Sequence, residues 1–110
     1  MKIKSIVTGL LLLAMTCPAS AGSDNPVVII IKDYKFIPQQ VTIKPGQTVR
    51  WENHEKRQYH SVWFEALGED EPEDYLFPDD SYERSFETPG EYPYQCGPHP
   101  EMTASITVAE

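Results

Sequence analysis

Val27 to Ile31 is an unbroken β-branched run, the pattern of a strand buried on both faces or packed within a sandwich. Phe36-Ile37-Pro38 reads as an irregular connection, and Val41-Thr42-Ile43 then alternates apolar and polar positions. Pro45-Gly46 is a strong turn signal, followed by the alternating strand Thr48-Val49-Arg50-Trp51 and a polar stretch from Glu52 to Gln58. Tyr59 to Phe64 predicts a further strand, with His60, Val62 and Phe64 on one face and Ser61 and Trp63 on the other. Glu65 to Asp80 reads as a long acidic connection. Ser81 to Phe86 alternates again, Pro89-Gly90 turns, Tyr92 to Cys96 forms a strand and Ala104 to Ala109 is the last one.

Pro93 conflicts with its neighbours, because a proline removes a ladder donor. It must face an unpaired edge or a bulge, or that strand is shorter. Trp51, Trp63, Phe86, Tyr92 and Tyr94 fall on alternating strands and read as core. No segment carries helical periodicity of useful length, and no repeat or second domain shows. Short strands separated by turns indicate an all-β sandwich.

The first residues read as a targeting segment. Lys2 and Lys4 precede an apolar run from Ile6 to Met15, and Ala19-Ser20-Ala21 supplies a small-residue cleavage site. The run is too short to span a bilayer. A lipid anchor on Cys17 fits poorly, with Ala14-Met15-Thr16 before it and Pro18 after it. The expectation is a cleaved signal peptide over 1–21 and one domain over 22–110, exported to the periplasm with no stable membrane anchor.

Charge narrows the partners. The chain carries 9 Lys and Arg against 17 Asp and Glu, a net charge of −8, and losing Lys2 and Lys4 leaves the mature domain more acidic still. Such a surface disfavours nucleic acid as a partner. A basic protein remains, or simple solubility.

Beyond the leader, the sulfur-bearing residues are Cys96 and Met102 alone. An unpaired thiol in an oxidising compartment is a liability unless something occupies it; the alternative is an inert buried Cys. Cys96-Gly97-Pro98-His99-Pro100-Glu101-Met102 sets a thiolate, an imidazole and a thioether three residues apart. With one more imidazole this becomes the two-His, one-Cys site with a weak axial Met that suits copper and electron transfer.

These residues carry a resemblance. Gly90 to Cys96 has the form Gly-x-Tyr-x-Tyr-x-Cys, and Cys96 to Met102 the form Cys-x-x-His-Pro-x-Met. Together they resemble the small blue copper proteins, the cupredoxins, and are most similar to the amicyanin pattern within them. Val49-Arg50-Trp51-Glu52-Asn53 is similar to the strand end that precedes the first histidine ligand of that family, and His60 follows it. The resemblance covers about residues 27 to 109, nearly the whole mature domain. It implies a Greek-key β-sandwich of about seven to eight strands.

It also implies one copper ion held by His60, Cys96, His99 and Met102. The function implied is a monomeric, non-enzymatic carrier of single electrons between redox proteins, one of them a basic, cytochrome c-like partner. Two departures stand out: Ser61 replaces the usual Asn after the first histidine, and the connection from Asn53 to His60 is one residue longer, with Tyr59 in place of a proline.

Other readings compete. A copper-tolerance role, binding or oxidising periplasmic Cu(I), is the alternative function. Zinc fits Cys and His but not Met, and no motif fixes a base beside the set. His54 lies among charged residues and reads as solvated, with a secondary metal site as the rival reading. The acidic run from Glu65 to Asp80 lacks the order of a calcium loop. It is either a solvated face or a docking surface for a basic partner.

Overall fold

The computed structural model describes residues 25–110, so the leader expectation lies outside the described residues. Seven strands are present there: β1 Val27–Lys32, β2 Lys35–Ile37, β3 Gln40–Ile43, β4 Thr48–Asn53, β5 Ser81–Ser85, β6 Gly90–Gln95 and β7 Thr103–Val108. One sheet has the order β2-β1-β4-β5 and the other β3-β7-β6. Pairing is parallel between β1 and β4 and between β3 and β7, and antiparallel elsewhere. This is the expected Greek-key β-sandwich.

The apolar run in β1 alternates after all. Ile29 and Ile31 are fully buried while Val28 is exposed, because the sheet has one face on the core and one on solvent. Opposite them stand Ile43, Tyr94, Ile106 and Val108 from the second sheet. Trp51 Nε1–H donates to Tyr94 Oη across the sandwich at 3.1 Å, so the largest core side chain leaves no polar atom unpaired. Burial of each such side chain contributes about 1.5–3 kcal/mol. Trp63 departs from expectation: it is only partly buried, and its indole N–H donates to the Glu69 carbonyl.

Two further readings need correction. Phe36-Ile37 belongs to β2, where Phe36 turns into the core and packs on Tyr94. Tyr59 to Phe64 is not a strand. Its backbone pairs at two isolated points, His60 with Leu76 and Trp63 with Gln95, so it crosses from one partner to another without following either sheet. The Ser61 N–H between them is turned to the Cys96 sulfur rather than to a carbonyl. The expected inward face holds, with His60, Val62 and Phe64 buried, but Ser61 is buried as well.

Pro93 resolves cleanly. β6 is an edge strand, and the Gln95 N–H points away from β7 to the Trp63 carbonyl. Pro93 has the same parity, so its missing donor faces the open edge and costs the ladder nothing. At Lys44–Gln47 the turn closes through Gln47 N–H to Lys44 O, with Gly46 supplying the positive φ of 90°.

Candidate metal centre

The connection from β6 to β7 is short and stiff. Cys96 N–H donates to Met102 O at 3.0 Å and Met102 N–H to His99 O at 2.9 Å, folding the loop back on itself. Pro98 and Pro100 fix two of its backbone torsions. The Cys96 and Met102 side chains turn inward and are buried, while His99 is half-buried at the loop's outer side.

His60 arrives from the crossing segment and is fully buried. Its Nδ1 lies 3.6 Å from Cys96 Sγ and 3.2 Å from His99 Nδ1, and His99 Nδ1 lies 3.6 Å from the same sulfur. The expected His60, Cys96 and His99 thus converge, from segments far apart in the chain. Met102 stands buried at the end of the same loop.

The donor set fits a metal ion. From those three separations, the point equidistant from the two nitrogens and the sulfur is about 2.0 Å from each, close to ordinary metal–imidazole and metal–thiolate bond lengths. Two ring nitrogens and a sulfur crowd one point, and a cation placed there satisfies all three. Burial pushes the Cys96 thiol up; the Ser61 N–H opposes this, as does the backbone at His99, while the Glu101 charge adds to it. A bound cation reverses that balance and makes the thiolate.

The surroundings orient the ligands. Glu55 Oε2 lies 3.0 Å from His60 Nε2, so the ring carries its proton there and presents the Nδ1 lone pair to the centre. Burial lowers the His60 pKa first, the nearby His99 charge lowers it further, and the Glu55 bond opposes both. The neutral imidazole results. Ser61 does the tying expected of a side chain at its position: its Oγ accepts the Gly97 N–H at 2.9 Å while its own N–H reaches the Cys96 sulfur at 3.4 Å.

Gly97 stands in close approach to two side chains. A Cβ there would meet the Glu71 carboxylate and come within 2.9 Å of Ser61 Oγ. The acidic connection therefore leans on the ligand loop through Glu71. His54 stays apart, exposed and 3.0 Å from Glu52, as expected of a solvated residue.

Sequence reasoning missed Glu55, Glu71 and Tyr34. Glu55 looked like one charge among several in a polar loop. Tyr34 packs edge-on against both histidine rings, and no motif marks it.

Two imidazoles and a buried thiol at one end of a β-sandwich define a small mononuclear metal protein with soft donors. Residues 5–108 match the cupredoxin-like domain family, and the chain belongs to that family. It is 37% identical to amicyanin of Paracoccus versutus over 94 residues, covering 80% of this chain and 70% of that protein. It is 40% identical to plastocyanin of Scenedesmus fuscus over 100 residues, covering 79% and 93%.

Among solved structures, a variant of amicyanin in its Cu(I) form superposes with a TM-score of 0.70 at 30% identity, over 80% of this chain and 86% of that one. A copper-containing nitrite reductase of Thermus scotoductus SA-01 gives 0.71 at 27% identity, over 87% of this chain and 25% of the enzyme. One copper ion is the cofactor of this family, and the donors assembled here fit it.

Proposed function

We propose that this protein is a type 1 copper electron carrier, with His60, Cys96 and His99 as the three close ligands and Met102 as the weak axial one. The convergence of two Nδ1 atoms and a buried Sγ on one point carries this reading. Bound there, copper supplies a one-electron Cu(I)/Cu(II) couple.

The chain's own residues do the rest. The proline-stiffened loop and the Ser61 tie fix the donors before metal arrives, so little moves when charge changes. Cys96 and Met102 belong to the same buried cluster as Val62, Phe64 and Tyr94, which keeps water from that part of the site. His99, the least buried of the three close ligands, faces the side where a partner approaches.

The basic start, apolar run and small-residue site of 1–21 support export to the periplasm, with 22–110 as the mature, monomeric domain. No helix among the described residues is long and apolar enough to cross a membrane. The exposed carboxylates of Glu65 to Asp80, reaching the ligand loop at Glu71, favour a basic redox partner of the cytochrome c kind. Among the described residues, one trio of metal-type side chains converges, which favours electron transfer over copper storage.

The test is the visible and EPR spectrum after one equivalent of Cu(II), with Cys96→Ala alongside. An intense thiolate charge-transfer band that the variant lacks is the expected result. A band that survives the substitution refutes the assignment. Met102→Leu should keep copper and raise the reduction potential; an unchanged potential removes Met102 from the axis.

A further inference from the structure

Tyr34 sits on the two-residue turn between β1 and β2, where Lys32 pairs with Lys35. Asp33 and Tyr34 both have positive φ, 55° and 59°. Hairpin turns of this shape favour Asn-Gly or Asp-Gly, and a bulky aromatic in the second place is uncommon. What the turn gains is the ring's position. The Tyr34 ring stands edge-on to His60 at 5.5 Å and 89°, and to His99 at 4.9 Å and 80°. The two imidazoles are themselves 4.8 Å apart. Three rings are thus in mutual contact over the donor triangle.

The turn is fastened to the ligand it covers. Glu55 Oε2 accepts the Tyr34 N–H at 2.8 Å and faces His60 Nε2 with the same oxygen. Tyr34 also lines a surface cavity of about 300 Å³, together with Phe36, Glu101 and Met102, whose lining includes neither His60 nor His99. The ring thus touches both imidazoles and borders that cavity. It is 42% exposed while it contacts both histidine rings, so it meets solvent and ligands at once.

We propose that Tyr34 is a positioning residue that braces His60 and His99 and closes the copper site to outside ligands. It makes the difference between a site that passes electrons through His99 and one that exchanges copper or admits small anions from the Met102 side. This rests on the ligand set proposed above. The phenol hydroxyl takes no part; the ring's edge and bulk do the work.

The experiment compares wild type, Tyr34→Phe and Tyr34→Gly. Glycine suits the left-handed turn and retains the backbone N–H for Glu55, so loss of folding is not at issue. Three readouts apply: azide-induced change in the Cu(II) EPR spectrum, the rate of Cu(I) removal by a chelator, and NMR order of the His99 ring in apo protein.

Wild type and Tyr34→Phe should ignore azide and release Cu(I) slowly. Tyr34→Gly should respond to azide, release Cu(I) about 10- to 100-fold faster, as when support around metal ligands is lost, and loosen His99 in the apo form. A Tyr34→Gly protein matching wild type in all three overturns the brace and leaves the ligand assignment standing. Absence of the thiolate band in wild type overturns both.

Discussion

Glu55 Oε2 and His60 Nε2 face each other at 3.0 Å, across a connection that contacts from the preceding Asn53 hold in shape. Asn53, fully buried, accepts the Glu55 N–H and donates to the carbonyls of Gln58 and Leu76. A surface-type loop is thereby given an internal skeleton. Its carboxylate is turned inward onto a ligand.

Glu55→Ala should leave the fold intact and lower copper affinity about 10- to 100-fold, the usual cost of losing a partner behind a metal-bound histidine. Competition against a chelator of known affinity measures this. Equal affinity in the two proteins would mean that His60 is oriented without Glu55, by its backbone and the Tyr34 ring.

Ser61→Ala removes the acceptor for Gly97 N–H while keeping the N–H that reaches the Cys96 sulfur. Leaving that amide unpaired should destabilise the copper protein by about 1–3 kcal/mol. Ser61→Asn, which restores an acceptor, should recover most of the loss. Denaturant unfolding of the three proteins decides, and no change in the alanine variant would show that water replaces the hydroxyl without cost.

Gly97→Ala should cost about 1–3 kcal/mol through overpacking against Glu71 and Ser61. Shortening the neighbour tests the cause. In a double-mutant cycle, Glu71→Ala should return part of the loss, giving a coupling above about 0.5 kcal/mol. Strict additivity would place the strain in the loop backbone.

Acid should weaken the apo protein in two stages. Burial, with the His99 charge adding and Glu55 opposing, holds His60 below its ordinary 6.5. The unfolded chain then binds a proton before the folded one, so stability falls as pH drops below about 6.5. Glu69 is held below its ordinary 4.5, chiefly by its bond to Arg84. Its contribution is complete above about 4.5 and is lost as pH falls through the lower folded value. Apo Tm measured against pH should show both declines, and Arg84→Gln should shrink only the second, to which Glu52 and Glu55, also held below 4.5, contribute as well. A flat Tm down to about pH 5 would contradict the His60 stage.

The parts legible in the sequence were those with short-range signatures. Strand alternation, the turns at Pro45-Gly46 and Pro89-Gly90, and the Cys96-to-Met102 spacing each reside within a few residues. The Tyr59 to Phe64 segment misled because its residue pattern alternates like a strand's, whereas Ser61 is buried along with His60 and Val62 and the backbone hydrogen bonds go to two unrelated partners. Periodicity records which side chains face the core; it does not record where a backbone amide points. Glu55, Glu71 and Tyr34 were invisible for a related reason. Each acts on the centre through a contact that exists only once distant segments have met, and a carboxylate in a charged loop looks the same whether it faces water or an imidazole.

The uneven placement of the donors bears on how metal and folding combine. Cys96, His99 and Met102 belong to one tight loop, whereas His60 is delivered by a segment pinned to both Leu76 and Gln95. An unfolded chain already carries three of the four proposed donors within reach of one another. Copper will therefore bind the unfolded chain too, and stabilise the native state by less than its native affinity alone suggests. What folding adds is the fourth donor and the walls around it. Capture can precede the fold, and the fold then determines what the captured ion is used for.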